Sequence, residues 1–270
     1  FYVLPKGGIR NMFVKTRVNA TLQASPYYTN MMGKDKAGSV MVKKFKKADA
    51  AFVGAQKDTE MISFVADILI IDEYNFCNKQ QVKHARKRLG HSGVKIEKNI
   101  STPTVKGVGV DTKLKTTDHK HWMQKCSHCG HQQIIDFFKN IVHDQEGTLI
   151  GMSNNTADVG VWCVKCHKEM DRLSDGEYVA MNTDKIDKDV TGIQIPAFAS
   201  PKKTVKEIWD EYRESRFNSY QLQLWYNNDL GLSYTAEGAN ISKAILDECT
   251  AEYTIGDVTY GLGEVISAGI

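Results

Sequence analysis

The amino-acid sequence predicts an α/β fold with a mostly parallel sheet, an inserted subdomain that carries four cysteines, and a C-terminal helical region. Strand and helix patterns alternate over the first hundred residues, which indicates a sheet with helical crossovers. The uninterrupted apolar run at 68–71 is typical of a parallel strand that is buried on both faces. Two C-x-x-C pairs, at 126–129 and 163–166, mark the inserted subdomain.

The composition is that of an ordinary globular protein. Of the 270 residues, 41% are hydrophobic and 25% are charged, which excludes the collagen-like and disordered classes. No apolar run approaches the roughly 18 residues that a membrane-spanning helix needs, and residues 1–10 lack the pattern of a secretory signal peptide. We therefore expect no membrane partner.

The elements of the α/β region are predicted in the order β, α, β, β, β, α, β. Strands are expected at 2–4, 39–45, 51–53, 67–72 and 94–100, and helices at 9–23 and 78–89. Residues 58–65 are expected to form a helical turn. The two strands within 39–53 form a predicted antiparallel hairpin, expected at the sheet edge, whose exposed positions are basic.

The pattern changes at about residue 120. Residues 121–175 combine the cysteines with short apolar segments and a turn-rich stretch at 145–160, which favours small strands. Later elements are predicted as helices at 205–217, 220–227 and 242–248 and a buried strand at 264–270.

The first 50 residues are strongly basic. They hold ten Lys or Arg residues against Asp35 and Asp49, a net charge of +8. A cluster of lysines within them is expected to attract the phosphates of DNA: Lys43, Lys44, Lys46 and Lys47. The alternative is a solvated basic surface without a partner.

An acidic pair, Asp72 and Glu73, directly follows the apolar run at 68–71. In P-loop nucleotide hydrolases an Asp at this end of a buried strand holds Mg²⁺, and the following Glu polarises the attacking water. Such a pair also ends purely structural strands. The motif predicts a P-loop NTPase-like sheet with Asp72 as the magnesium ligand and Glu73 as the catalytic base.

A Ser/Thr-rich turn follows the next predicted strand. Its residues Ser101, Thr102 and Thr104 match the turn that senses the γ-phosphate in helicase-like ATPases and couples hydrolysis to movement. By itself the turn is ordinary. No G-x-x-x-x-G-K-[ST] motif occurs in the 270 residues, so the sheet is expected to be incomplete, with the phosphate-binding loop upstream of Phe1.

The two C-x-x-C pairs predict a structural zinc site. Cys126, Cys129, Cys163 and Cys166 supply the four thiolates of a tetrahedral Zn²⁺ site with no open coordination position. The alternatives are a redox dithiol, which needs one pair, and a mixed site that uses His128, His131 or His167. The remaining cysteines, Cys77 and Cys249, are expected in the core.

Taken in order, these features resemble the large terminase subunit of tailed bacteriophages, in the branch that has a zinc ribbon in or beside its ATPase domain. The segments that carry the resemblance are YVLP at 2–5, FVGAQKDTEMISFVADILIIDE at 52–73, NISTPT at 99–104, HWMQKCSHCGHQQ at 121–133, WCVKC at 162–166, GIQIPAFASP at 192–201 and YNNDLGLSY at 226–234.

The resemblance implies a motor that uses ATP with Mg²⁺ to package double-stranded DNA into procapsids, and a C-terminal nuclease that cuts the concatemer. It implies the same roles for Asp72, Glu73, the turn at 101–104 and the zinc cysteines. The implied partners are DNA, the terminase small subunit, the portal of the procapsid and further copies of the chain. The implied location is the host bacterial cytoplasm.

The resemblance also divides the chain. Four parts are expected: a partial ATPase core at 1–119, a zinc ribbon at 120–175, a return segment and helical linker at 176–258, and the first strand of a truncated nuclease at 259–270. Residues 1–270 alone are therefore expected neither to bind ATP tightly nor to cleave DNA.

Two other classes share part of the pattern. A superfamily-2-like helicase, or another nucleic-acid-dependent ATPase, would share the acidic pair and the Ser/Thr turn but needs arginine motifs in a second ATPase domain. A non-enzymatic zinc-ribbon module that binds nucleic acid would explain only the cysteines.

Overall fold

A five-stranded sheet is built by the first hundred residues in the computed structural model, which describes residues 1–32, 39–61, 64–141, 159–186 and 190–236. Its strands are β1 (Tyr2–Leu4), β2 (Val42–Lys44), β3 (Asp49–Gly54), β4 (Ile68–Ile71) and β5 (Ile96–Asn99). They are arranged in the order β2-β3-β1-β4-β5. All neighbours are parallel except β2 and β3. The predicted mixed α/β fold with a mostly parallel sheet is confirmed.

The predicted hairpin is present, but only one of its strands lies at the edge. β2 is the edge strand, whereas β3 pairs with β1 in parallel and so belongs to the body of the sheet. The reason is the apolar character of β3, in which Phe52 and Val53 are buried.

The strand β4, which lies between β1 and β5, is buried unevenly. Leu69 and Ile71 are fully buried on one face, whereas Ile68 on the other face is 43% exposed. The prediction of a parallel strand between neighbours is confirmed, and the prediction of burial on both faces is wrong for Ile68.

Helices flank the sheet. They are α1 (Gly7–Phe13), α2 (Asn19–Ala24), α3 (Pro26–Met32), α4 (Asp58–Met61), α5 (Lys79–Arg86) and α6 (Val110–Lys115). A π-helical turn at Val14–Val18 joins α1 to α2, so the predicted helix at 9–23 is confirmed with an irregular middle. The Asn78 side chain caps α5 by accepting hydrogen bonds from the backbone of Gln80 and Gln81. A 3₁₀ turn at Lys87–Leu89 then ends the helix before Gly90.

A small antiparallel sheet follows. It consists of β6 (Lys120–Lys125), β7 (Gln132–Ile134) and β8 (Gly176–Ala180) in the order β7-β6-β8. The helices α7 (Val205–Ser215) and α8 (Ser219–Asn228) come after it, as predicted. Thr204 and Glu207 form a capping box at the start of α7.

Two hydrophobic cores form among the residues that the structure describes. One lies under the large sheet around Val3, Val53, Leu69 and Ile71. The other joins the cysteine region to α7 and α8 through Phe137, Trp209 and Trp225, whose rings are in contact. The cysteine region and the C-terminal helices therefore share one core.

Residues 1–234 form one compact unit. The helix expected at 242–248, the strand at 264–270 within the expected part 259–270, Cys249 and most of the turn-rich stretch lie outside the described residues. Within the described ranges, no helix has the length and apolar character needed to cross a membrane.

Candidate functional site

The carboxyl ends of β4 and β5 bring the two predicted active-site motifs together. The strands are adjacent and parallel, so Asp72 and Glu73 emerge beside the loop that begins at Ser101. Two backbone hydrogen bonds continue the pairing past the strands, from Ile100 to the carbonyl of Ile71 at 2.9 Å and from Tyr74 to the carbonyl of Ile100 at 3.0 Å. This is the edge at which α/β sheets bind ligands.

Asp72 is oriented by Tyr2, a residue that the sequence reasoning missed. The Tyr2 hydroxyl donates a hydrogen bond to Asp72 Oδ2 at 2.7 Å, and the Glu73 backbone N–H donates to Oδ1 at 3.0 Å. Burial, and the contact with Asp72, raise the pKa of Tyr2, so the phenol stays protonated and acts as a donor. Each carboxylate oxygen keeps a second lone pair for a water or a cation.

Glu73 occupies a strained position with one oxygen left without a partner. Its backbone is left-handed, with φ of 50°, a conformation that costs non-glycine residues about 1 to 3 kcal/mol and that clusters at functional sites. Glu73 Oε2 is buried and has no hydrogen-bond partner among the described residues. Burial and the charge of Asp72 raise the pKa of Glu73, although hydrogen bonds with Thr102 and Ser101 oppose the shift. The carboxylate is thus a stronger base than an exposed glutamate.

Asn75, which the sequence reasoning also missed, connects the acidic turn to the Ser/Thr loop. Its side chain donates to the Thr102 carbonyl and to Thr104 Oγ1. Its backbone N–H donates to Ser101 Oγ. Asn residues are common in turns, so no signal in the sequence distinguished this one.

The four predicted cysteines lie together, with all Sγ atoms within 4.8 Å of one another. The distances from Cys126 Sγ to Cys166 Sγ and from Cys129 Sγ to Cys163 Sγ are both 3.7 Å. A tetrahedral zinc site with Zn–S bonds of 2.3 Å has edges of about 3.8 Å, so this arrangement fits such an ion. All four are free cysteines.

The two C-x-x-C pairs form the same turn. In each, the first cysteine donates its N–H to the carbonyl five residues later, that of His131 or Lys168, and accepts from the N–H four residues later. Burial opposes ionisation of Cys163, but backbone N–H groups of Cys166 and Lys165 lower its pKa to about 6. The Lys168 backbone opposes the shift at Cys166, but contacts with the other three thiols raise its pKa, so Cys163 ionises before Cys166.

Two buried amides tie these turns to each other. Gln133 Oε1 accepts hydrogen bonds from the Val164 N–H at 3.1 Å and from Asn140 Nδ2 at 3.0 Å. The same Asn140 nitrogen donates to the Trp162 carbonyl at 2.8 Å. Hydrogen bonds between protein groups therefore hold the two cysteine pairs close together.

The lysine cluster does not lie at this site. It lies on and after β2, three strands away from β4, or about 14 Å at 4.8 Å per strand. Lys44, Lys46 and Lys47 are exposed, whereas Lys43 is only 1% exposed, and its burial lowers its pKa. The expectation that Lys43 forms part of an exposed basic surface is wrong, because alternate residues of β2 point to opposite faces.

Residues 1–182 match the family described as phage terminase large subunit gpA, ATPase domain, so the match spans the acidic pair, the Ser/Thr loop and all four clustered cysteines. A search of curated proteins found no match, and neither did a search of solved structures. The match covers more than half of the 270 residues, and the chain therefore belongs to the phage terminase large subunit gpA family.

Proposed function

We propose that this chain supplies the catalytic base and the magnesium ligand for ATP hydrolysis in a motor that moves double-stranded DNA into a phage procapsid. The observation that carries the proposal is the buried Glu73 Oε2, which has no partner among the described residues and lies beside Asp72 at the carboxyl edge of the sheet. Membership of the terminase ATPase family supports the same activity.

In the proposed reaction, Glu73 accepts a proton from the water that attacks the γ-phosphate. Asp72, oriented by Tyr2, is the residue that would hold Mg²⁺. When bound with ATP, this ion neutralises charge on the phosphates. Ser101, Thr102 and Thr104 hydrogen-bond to Asn75, two residues after the base, and are proposed to couple hydrolysis to movement.

We propose zinc as the ion of the cysteine cluster, in a closed structural site. The supporting observation is the 3.7 Å spacing of the sulfur atoms, which suits a four-thiolate tetrahedron. With zinc bound at these cysteines, residues 120–175 are proposed to form a zinc ribbon beside the ATPase core at 1–119.

The remaining functional proposals follow from family membership. The partners are the portal of the procapsid, the terminase small subunit and further copies of the chain, all within the host bacterial cytoplasm. Concatemer cleavage is assigned to a nuclease domain of which residues 259–270 would be the first strand, with 176–258 as the linker.

Asp72→Asn is expected to lower kcat/KM for Mg²⁺-dependent ATP hydrolysis by about 100-fold or more, because it removes the charge that holds the ion. The assay uses the complete large subunit, since no phosphate-binding motif occurs within the 270 residues. Asp67→Asn is the matched control, because Asp67 lies at the opposite end of the same strand and bonds to Ser92. Equal rates in the two variants would contradict the proposal.

The exposed lysines are proposed to contact the DNA backbone. Replacing Lys44, Lys46 and Lys47 with Ser is expected to weaken binding to duplex DNA and to reduce its salt dependence, because phosphate contacts release counterions. Replacing Lys83, Lys87 and Lys95, which are exposed on another part of the chain, provides a control with the same loss of charge. Unchanged affinity over a salt titration would show that the cluster is only solvated surface.

A further inference from the structure

Asn75 lies two residues after Glu73 and contacts every hydroxyl-bearing residue of the adjacent loop. Asn75 Nδ2 is 3.1 Å from Thr104 Oγ1 and 3.3 Å from the Thr102 carbonyl, and it donates to both. The backbone N–H of Asn75 donates to Ser101 Oγ at 3.2 Å. One residue thus joins the acidic turn to the whole loop.

The opposite side of the Asn75 side chain is held as firmly. Its Oδ1 accepts a hydrogen bond from the Val110 N–H at 2.8 Å. The same Oδ1 atom lies so close to Gly109 that a Cβ atom at residue 109 would be only 1.9 Å away from it. The amide therefore has a defined orientation, with its oxygen toward Val110 and its nitrogen toward the loop.

We propose that Asn75 is a positioning residue that holds the loop at 101–104 against the Glu73 carboxylate. This inference rests on the proposed ATPase function. The side-chain amide of Asn75 holds Thr102, which hydrogen-bonds to Glu73, and also Thr104, whereas the Asn75 backbone N–H holds Ser101. The position of Thr102 and Thr104 relative to the base therefore depends on this amide. Misplacement of reacting groups by about 1 Å lowers rates by about 100-fold.

The loop has a second anchor, which keeps it folded without Asn75. The Thr104 carbonyl accepts hydrogen bonds from Asn227 Nδ2 at 2.8 Å and from the Tyr234 N–H at 3.0 Å. Asn227 belongs to α8. Loss of the Asn75 side chain would therefore leave Thr104 attached to α8 but no longer tied to the acidic turn.

The test measures kcat, KM for ATP and thermal stability in the complete large subunit for Asn75→Ala, for Thr104→Val and for the double variant. Each single change is expected to lower kcat by about 10- to 100-fold and to change KM less than threefold. Because both remove the same contact, the double variant is expected to be no slower than the slower single variant. Asn78→Ala is the control, since it removes the cap of α5 in the same segment without touching the loop.

Three results would overturn the inference. The first is a wild-type kcat in Asn75→Ala, and the second is a kcat in Asn78→Ala that is reduced as much as in Asn75→Ala. The third is a double variant whose fold-loss of kcat equals the product of the two single losses. Glu73→Gln in the same series separates this inference from the function on which it rests. If Glu73→Gln is inactive while Asn75→Ala is unaffected, only the positioning role fails. If Glu73→Gln retains turnover, the proposed ATPase site fails and the positioning role fails with it.

Discussion

Glu73→Gln is expected to lower kcat for ATP hydrolysis by about 1000-fold while ATP affinity stays within about threefold, because a general base contributes between about 100- and 10,000-fold. Glutamine has nearly the same shape and keeps an acceptor for the Ser101 and Thr102 hydrogen bonds, but it cannot take a proton from water. The measurements are steady-state kcat and titration of a fluorescent ATP analogue, both in the complete large subunit.

The control for this prediction is Glu177→Gln. Glu177 lies on β8 in the small sheet, where it is exposed, so the same change of charge there is expected to leave kcat unaltered. A Glu73→Gln enzyme with a kcat within threefold of the wild type would remove Glu73 from the catalytic role. Loss of ATP binding with unchanged kcat would instead assign Glu73 to the binding of the nucleotide.

Purified protein is expected to contain about one zinc per chain, and Cys126→Ser or Cys163→Ser is expected to lose the metal and unfold the cysteine region. Structural zinc sites contribute about 10 to 16 kcal/mol of apparent binding free energy, which is folding free energy when the site forms only in the folded chain. Cys126 and Cys163 are buried in the core that also contains Trp209 and Trp225. Unfolding should therefore appear in tryptophan fluorescence as well as in metal analysis.

Cys77→Ser is the matched control for the zinc prediction, because Cys77 is buried in the other core and lies outside the cluster. Burial raises the pKa of Cys77 to about 11, so it remains a neutral thiol. The control is expected to keep its zinc. A folded, metal-free wild-type protein would refute the structural zinc site. Zinc retained after replacement of Cys163 would favour a mixed ligand set.

The chemistry-bearing residues were found in the sequence because their residue types and spacing are restrictive. Few kinds of site combine a strand that ends in Asp72 and Glu73 with a Ser/Thr turn, or contain two C-x-x-C pairs. The structure places the acidic pair beside the Ser/Thr loop and brings the four cysteines together. The order of the strands and helices could also be predicted from the sequence, since apolar periodicity distinguishes strands from helices.

Contacts between residues that are distant in sequence could not be predicted from these patterns. Tyr2 and Asp72 are 70 residues apart, and their hydrogen bond exists because β1 lies next to β4 in the sheet. Asn75 gains its role from Gly109 and Thr104, which approach it only in the folded chain. The burial of Lys43 depends on which face of β2 packs inward, which lysine-rich composition alone does not determine.

The sequence by itself determined the α/β class, the acidic pair, the Ser/Thr loop and the two cysteine pairs, because local periodicity and motif spacing encode these features. The tertiary structure alone decided that β3 lies inside the sheet, that Tyr2 orients Asp72, and that Asn75 joins the two motifs. The physical reason is that strand order and side-chain contacts arise from long-range packing, which brings together residues that local sequence patterns treat separately.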